Sequence, residues 1–224
     1  MRETDQHQPE RDDVAAIILA AGRSQRMGAF KPLLPFGDTT VVDSCLQNLR
    51  AGGVETVIVV VGHRADELRN HLKHSRVVFA VNPEPESEMS SSITCAVREL
   101  PKEAKAVLIT PVDHPAVPSE VVCQLIDEWG KGQGLVKPTW QERGGHPVLI
   151  DLRFKDELLR LDSNLGLKAL FDTHRDQVKR LPVDSNYIAR DMDTWEDYAA
   201  LHRDVFGVMP PEKAKPKEPG TIEG

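Results

Sequence analysis

Three cysteines, Cys45, Cys95 and Cys123, are spread through 224 residues, and no two form a C-x-x-C pair. An odd, widely spaced set supplies neither a disulfide framework nor a zinc cluster, so these thiols are read as reduced. No apolar run approaches the ~20 residues needed to cross a bilayer. Residues 1–13 are polar and hold no apolar core of a secretory signal, so a cytoplasmic protein is the expectation. Excess positive charge is also missing. The net charge is −7, of which residues 1–13 carry −3 and residues 207–224 carry none. A general nucleic-acid surface needs a basic face and is excluded on this ground. No serine sits in G-x-S-x-G. Two familiar phosphate loops are absent as well. Five residues, not four, separate Gly22 from Gly28, and Ala29 and Phe30 follow where a Walker loop needs Lys and Ser/Thr. The dinucleotide fingerprint needs three glycines, and only two are present at the wrong spacing.

What the chain does contain is a short buried strand joined to a cationic glycine loop. Val14 to Leu19 is continuous, apolar and too short for a helix, the pattern of a strand covered on both faces. Ala20, Ala21, Gly22, Ser24 and Gly28 carry little or no side chain, so their backbone amides can approach an anion closely. Arg23, Arg26 and Lys31 bring three positive charges to the same loop.

Strand and helix signals then alternate along one domain over residues 14–206, between polar tails 1–13 and 207–224. Strands are predicted at 56–61, 77–81, 106–110, 135–138, 148–150 and 178–183. Helices are predicted at 41–51, 65–72, 89–100, 119–129 and 152–161, with another starting at 164–168. Thr39 or Thr40 and Ser119 are the expected caps, and Gly52-Gly53 ends the first helix. This rhythm predicts a three-layer α/β/α sandwich on a mostly parallel, Rossmann-like sheet. Asp113 follows a strand end directly, where ligands of open parallel sheets bind. Ser90, Ser91 and Ser92 open a helix with hydroxyls and free amides. Arg143 to Pro147 reads as a glycine-rich hairpin turn. Asp193 with Glu196 reads as a helix N-cap and its reciprocal carboxylate, which leaves Asp191 without a structural task.

The loop resembles the signature L-A-A-G-x-S-x-R-M-G-x-x-K-x-L-L-P of nucleotidyltransferases related to molybdenum cofactor cytidylyltransferase, matched from Leu19 to Pro35. The resemblance covers residues 14–205 and implies the nucleotide-diphospho-sugar transferase, GT-A-like fold. It implies that Leu19, Ala20, Ala21, Gly22, Arg23, Ser24, Arg26, Lys31, Ser90 and Ser92 bind the nucleotide. Arg26, Lys31 and Asp113 are implied as catalytic, and Asp113 with Asp191 as ligands of Mg²⁺. Gly145, His146 and Lys168 are implied to face the acceptor, Lys168 standing where relatives often carry arginine. CTP is the implied donor, since cytidylyl enzymes of the group have Leu-Ala-Ala-Gly where guanylyl ones have Leu-Ala-Gly-Gly. The implied acceptor is the molybdopterin cofactor, with a molybdenum hydroxylase as client. Another small phosphate, such as a sugar phosphate, and a non-catalytic accessory role in cofactor insertion stay open.

The expected chemistry is in-line attack of an acceptor phosphate on an α-phosphorus. An anion must approach a triphosphate carrying about four negative charges. A single opposed pair at 4 Å is worth about 4 kcal/mol at an effective dielectric of ~20, so loop cations and a divalent ion offset the repulsion. Mg²⁺ uses one or two protein carboxylates and completes its octahedron with phosphates and water. Positioning and charge do the work, without a nucleophilic side chain.

Overall fold

Residues 13–22, 26–84 and 88–211 are described by a computed structural model of the protein. In chain order the elements are β1 (Val14–Leu19), β2 (Pro35–Phe36), β3 (Thr39–Thr40), α1 (Val41–Ala51), β4 (Val57–Val61), α2 (Ala65–His71), β5 (Val78–Val81) and α3 (Met89–Arg98). They continue with β6 (Ala106–Pro111), α4 (Ser119–Gly130), β7 (Leu135–Trp140), β8 (Arg143–Gly144), β9 (Val148–Asp151), α5 (Lys155–Leu158), α6 (Leu167–Thr173), β10 (Val178–Pro182) and α7 (Trp195–Phe206).

The main sheet runs β10-β7-β9-β6-β1-β4-β5, with β8 paired to β7. β1 lies between β4 and β6 and is parallel to both, and β5 and β10 also join by parallel pairing. Only β9, between β6 and β7, and the short β8 run antiparallel in this sheet. β1 is apolar throughout because both its faces are covered. Val14, Ala16, Ile18 and Ala20 belong to one core, and Ala15, Ile17, Leu19 and Ala21 to the other. The same two-residue alternation divides β4 and β6. α1, α2, α4 and α7 cover the first face, and α3, α5 and α6 the second. The fold is therefore the three-layer sandwich that the spacing predicts.

Caps follow side-chain chemistry. Thr40 caps α1 by accepting from Asp43 N, and Gly52 is its C-cap residue. Ser119 is not a cap: Pro118 holds that position and Ser119 is the first helical residue. The predicted helix over 152–161 is a 3-10 turn at 152–154 followed by α5. Its start is drawn tight because Asp151 caps Arg153 N and Phe154 turns inward to be buried. The hairpin turn lies at Gln141 and Glu142, both at positive φ (46° and 66°), and not at the glycines that follow. Gly145 serves close approach, since a Cβ there would stand 2.1 Å from the Ile188 carbonyl oxygen. The His146–Pro147 peptide bond is cis.

Asp13 and residues 207–211, at the inner ends of the predicted tails, are described in the structure. Asp13 is buried, with its Oδ1 2.9 Å from Lys105 Nζ. After α7, the chain at 207–211 folds back, with His202 Nδ1 2.8 Å from the Val208 carbonyl oxygen. Residues 1–12 and 212–224 lie outside the described residues.

Candidate active site

At the carboxyl ends of β1 and β6 the chain leaves a cavity of about 370 Å³. One wall is the backbone of Leu19 to Gly22. It is held open by ladder bonds that continue past the strands: Val112 N donates to Leu19 O (3.1 Å), Ala20 N to Val60 O (3.1 Å) and His63 N to Ala21 O (3.2 Å). Ala20 and Ala21 send their side chains into opposite cores, so the peptide edge fronts the cavity. Among the described residues a Cβ on Gly22 would meet nothing within 4 Å.

Across the cavity stands a charge cluster. Gly28, at φ 67°, turns the loop so that Met27 and Phe30 are buried, and a 3-10 turn over Lys31–Leu33 follows with Pro32 near its start. This anchoring aims Lys31 inward with its side chain only 10% exposed. Its Nζ lies 3.3 Å from Asp113 Oδ2 and 3.0 Å from Asp193 Oδ1. Arg26, 75% exposed, reaches Asp193 Oδ2 at 2.9 Å. The hydrogen bond from Lys31 and its charge, helped by Arg26, hold the Asp193 carboxyl below its ordinary range. Tyr198 Oη donates to the Pro35 carbonyl at 2.5 Å and fastens α7 to the end of the cationic loop.

Asp193 reaches this position because it is not the helix cap. Thr194 caps α7, accepting from Asp197 N at 3.1 Å while Asp197 Oδ2 accepts from Thr194 N at 2.9 Å. The expected assignments of the two aspartates are therefore reversed by geometry. Asp193 lines the cavity, and Asp191 is exposed and lies outside its lining. Asp191 acts at a distance, its charge favouring protonation of His114. A signal was present in the sequence: Thr194 and Asp197 have capping-box spacing, which frees the residue before them.

His114, which is buried, and His146, which is partly exposed, pair beside Asp113 with ring centroids 5.1 Å apart. Burial pushes His114 down, against the opposing pull of Asp113, and drives His146 down to about 4. Among the described residues neither Nδ1 atom, though buried, has a hydrogen-bond partner.

A second cavity, of about 510 Å³, opens beside the first. Gly145, His146 and Lys168, the residues that the resemblance implies face the acceptor, line it together with Ser90, Lys137 and Phe171. Met89, half exposed, borders both cavities. Ser92 faces the first cavity and Ser90 the second. Leu19, Ala20, Ala21, Gly22, Arg26, Lys31 and Asp113 all line the first cavity, whereas Arg23 and Ser24 lie outside the described residues. Lys137 and Phe171 carried no motif and could not be picked out beforehand.

Among the described residues no group of three His, Cys, Asp or Glu side chains is placed to hold a metal ion. Two carboxylates converging on one ammonium nonetheless suit Mg²⁺. They offer hard oxygens, and a bound triphosphate and water can supply the remaining ligands. No described helix is long and apolar enough to cross a membrane.

A family model described as the MobA-like NTP transferase domain matches residues 16–178. The bifunctional IPC transferase and DIPP synthase of Rubrobacter xylanophilus is 34% identical over 123 residues, 52% of this chain. The molybdenum cofactor cytidylyltransferase of Escherichia coli K12 is 27% identical over 139 residues, covering 61% of this chain and 69% of that protein. The matched segment spans only 28% of the Rubrobacter relative and 25% of the bifunctional GlmU of Geobacter sulfurreducens. The crystal structure of Rv0371c from Mycobacterium tuberculosis H37Rv superposes with a TM-score of 0.77 at 28% identity, covering 85% of this chain and 98% of that one. The same protein solved in complex with manganese gives a TM-score of 0.72 at 27% identity, with the same coverage of both chains. By the family match over most of its length, and by its fold, the chain belongs to the MobA-like NTP transferases.

Proposed function

We propose that this chain transfers CMP from CTP to a phosphorylated acceptor, the molybdopterin cofactor, and releases pyrophosphate. The observation that carries the reading is Lys31, buried between Asp113 and Asp193 at the strand ends, with Arg26 on the outer side. Two cations paired with two carboxylates are poised for exchange. On nucleotide binding Lys31 and Arg26 turn to the phosphates, and Asp113 and Asp193 are the carboxylates that would hold a Mg²⁺ ion. That ion would neutralise the α-phosphate and help bring the acceptor phosphate in line. That a structural relative was solved in complex with manganese favours a divalent-metal requirement. In-line transfer then depends on positioning and charge.

Acceptor choice rests on the second cavity. Lys137, Lys168 and Ser90 are donors for a phosphate, and Phe171, Leu165 and Met89 form an apolar wall. A planar heterocycle with an anionic end fits that mixture, as a molybdopterin does, and a molybdenum hydroxylase is the proposed client. The Escherichia coli relative favours the same acceptor. Because relatives of other names match as well, a second reading stands in which another small phosphate, such as a sugar phosphate, is the acceptor.

Calorimetric titration with CTP, GTP, ATP and UTP, each with and without Mg²⁺, tests the donor. Selective, metal-dependent CTP binding is expected, and absence of any nucleotide binding defeats the reading. Pyrophosphate release with molybdopterin against a panel of sugar phosphates then decides the acceptor.

A further inference from the structure

Ser92 sits in the first cavity, on the side away from the charge cluster. Its helix, α3, packs into the core shared by Ile17, Leu19 and Ala21, while Met27, Phe30 and Met192, which flank Arg26, Lys31 and Asp193, belong to the core on the other face of the sheet. A nucleotide whose phosphates lie at Lys31 therefore puts its base toward Ser92. This step rests on the nucleotide reading of the cavity proposed above.

The polarity of the Ser92 hydroxyl is set from behind. Asn82 is 3% exposed, and its side chain is tied at both ends. Its Oδ1 accepts from Glu84 N at 2.9 Å, and its Nδ2 donates to Ser92 Oγ at 2.9 Å. A backbone N–H can only donate, so the atom facing Glu84 N must be the carbonyl oxygen, and the atom facing Ser92 must be the amide nitrogen. An amide nitrogen cannot accept. Ser92 Oγ is thus held as an acceptor toward Asn82, and its own hydrogen must point elsewhere. Among the described residues the Ser92 side chain makes no other hydrogen bond, and the cavity is the space it faces.

We infer that Asn82 is a positioning residue that fixes Ser92 as an obligate hydrogen-bond donor to the nucleobase, and so selects a base with a ring acceptor over one with N–H at the same place. Cytosine presents an unprotonated N3 and uracil an N3–H. A donor held by a buried amide pairs with the first and confronts the second with another donor. The cost of such a mismatch in a buried site is that of an unsatisfied group, about tenfold or more in affinity.

The test is equilibrium binding of CTP and UTP, in the presence of Mg²⁺, to the full chain and to four variants. Wild type is expected to prefer CTP. Asn82→Asp keeps the acceptor for Glu84 N but replaces the amide donor with a carboxylate oxygen. Ser92 then donates backwards and turns a lone pair to the cavity, so the CTP/UTP preference falls at least about tenfold. Ser92→Ala loses the preference without inverting it, and adding Asn82→Asp to Ser92→Ala changes nothing further. Should the buried carboxylate prevent folding, Asn82→Ala leaves the hydroxyl free to rotate and moves the ratio toward that of Ser92→Ala. A CTP/UTP ratio unchanged in a folded Asn82 variant overturns the inference and leaves the nucleotide site intact. Equal affinity of wild type for the two nucleotides overturns it too, and binding of neither defeats it together with the nucleotide reading.

Discussion

Replacing Lys31 by methionine should move two affinities in opposite directions. The side chain fills the same space, so the change is chiefly loss of an ammonium group that is 10% exposed and lies 3.3 Å and 3.0 Å from two carboxylate oxygens. Those distances bound the separation of the two oxygens at 6.3 Å. Two like charges about 6 Å apart repel by roughly 3 kcal/mol at an effective dielectric of ~20. With the ammonium gone, a divalent cation is the remaining way to relieve that repulsion. Binding of Mn²⁺ in the absence of nucleotide, followed by electron paramagnetic resonance, should therefore tighten by about tenfold, roughly half of the repulsion recovered. Nucleotide binding should weaken. A charged hydrogen bond to phosphate is worth about 1.5–3 kcal/mol net, so CTP affinity should fall by about 10- to 150-fold in the same variant. Mn²⁺ affinity at or below wild type, together with CTP affinity within about twofold of it, would refute the exchange of partners on which the site is built.

The reversal of the aspartates makes a paired prediction: Asp193→Asn should depress turnover by about 100-fold or more, and Asp191→Asn by less than about tenfold, in steady-state assays. Gly145→Ala should act as a stability defect of about 3 kcal/mol or more, read as an earlier thermal transition, because the added methyl meets the Ile188 carbonyl oxygen at 2.1 Å. His146 predicts a pH effect. Its folded value of about 4 lies below the ordinary 6.5, so the unfolded chain takes up the proton first. Stability should be fully present above about 6.5 and decline as the pH falls toward 4, by no more than about 1.4 kcal/mol per pH unit from this group. His146→Gln should flatten that part of a denaturation series. An equal slope in the variant would show that another group is responsible.

The central strands and the cationic loop were legible because their physics is local. A six-residue apolar run is too short for a typical helix and suits a strand covered on both faces, as β1 is. Asp113 stood out by its place directly after a strand end, and Lys31 as one of the cations of the glycine loop. Asp193 was misjudged because two overlapping cap patterns compete in Asp193-Thr194-Trp195-Glu196-Asp197, and spacing alone cannot tell which hydroxyl or carboxylate takes the amide. The threonine wins, since its hydroxyl serves both Asp197 N and Asp197 Oδ2. The hairpin was misjudged for the opposite reason. Glycine after glycine reads as a turn, yet one of them is there to let two backbones touch, and the left-handed turn falls on Gln141 and Glu142. Lys137 and Phe171 belong to different elements, and only the folded chain brings them to one cavity.

The reversed direction of β9 has a consequence for how such a protein can diversify. Because β9 enters the sheet at the edge where β1 and β6 leave it, the loop of Gly145 and His146 arrives next to Asp113 without any strand of the donor half being displaced. The first cavity is lined by residues 19–22, Arg26, Lys31, Pro32, Ser92, 111–113 and Asp193, and the second, apart from 88–90, by residues drawn from 137–172. Met89 is common to both. A lengthened or shortened segment between β7 and β10 would remodel what is received while the register of β1 with β4 and β6 stays as it is. Descent with one retained donor chemistry and many receivers is the history that this arrangement makes easy.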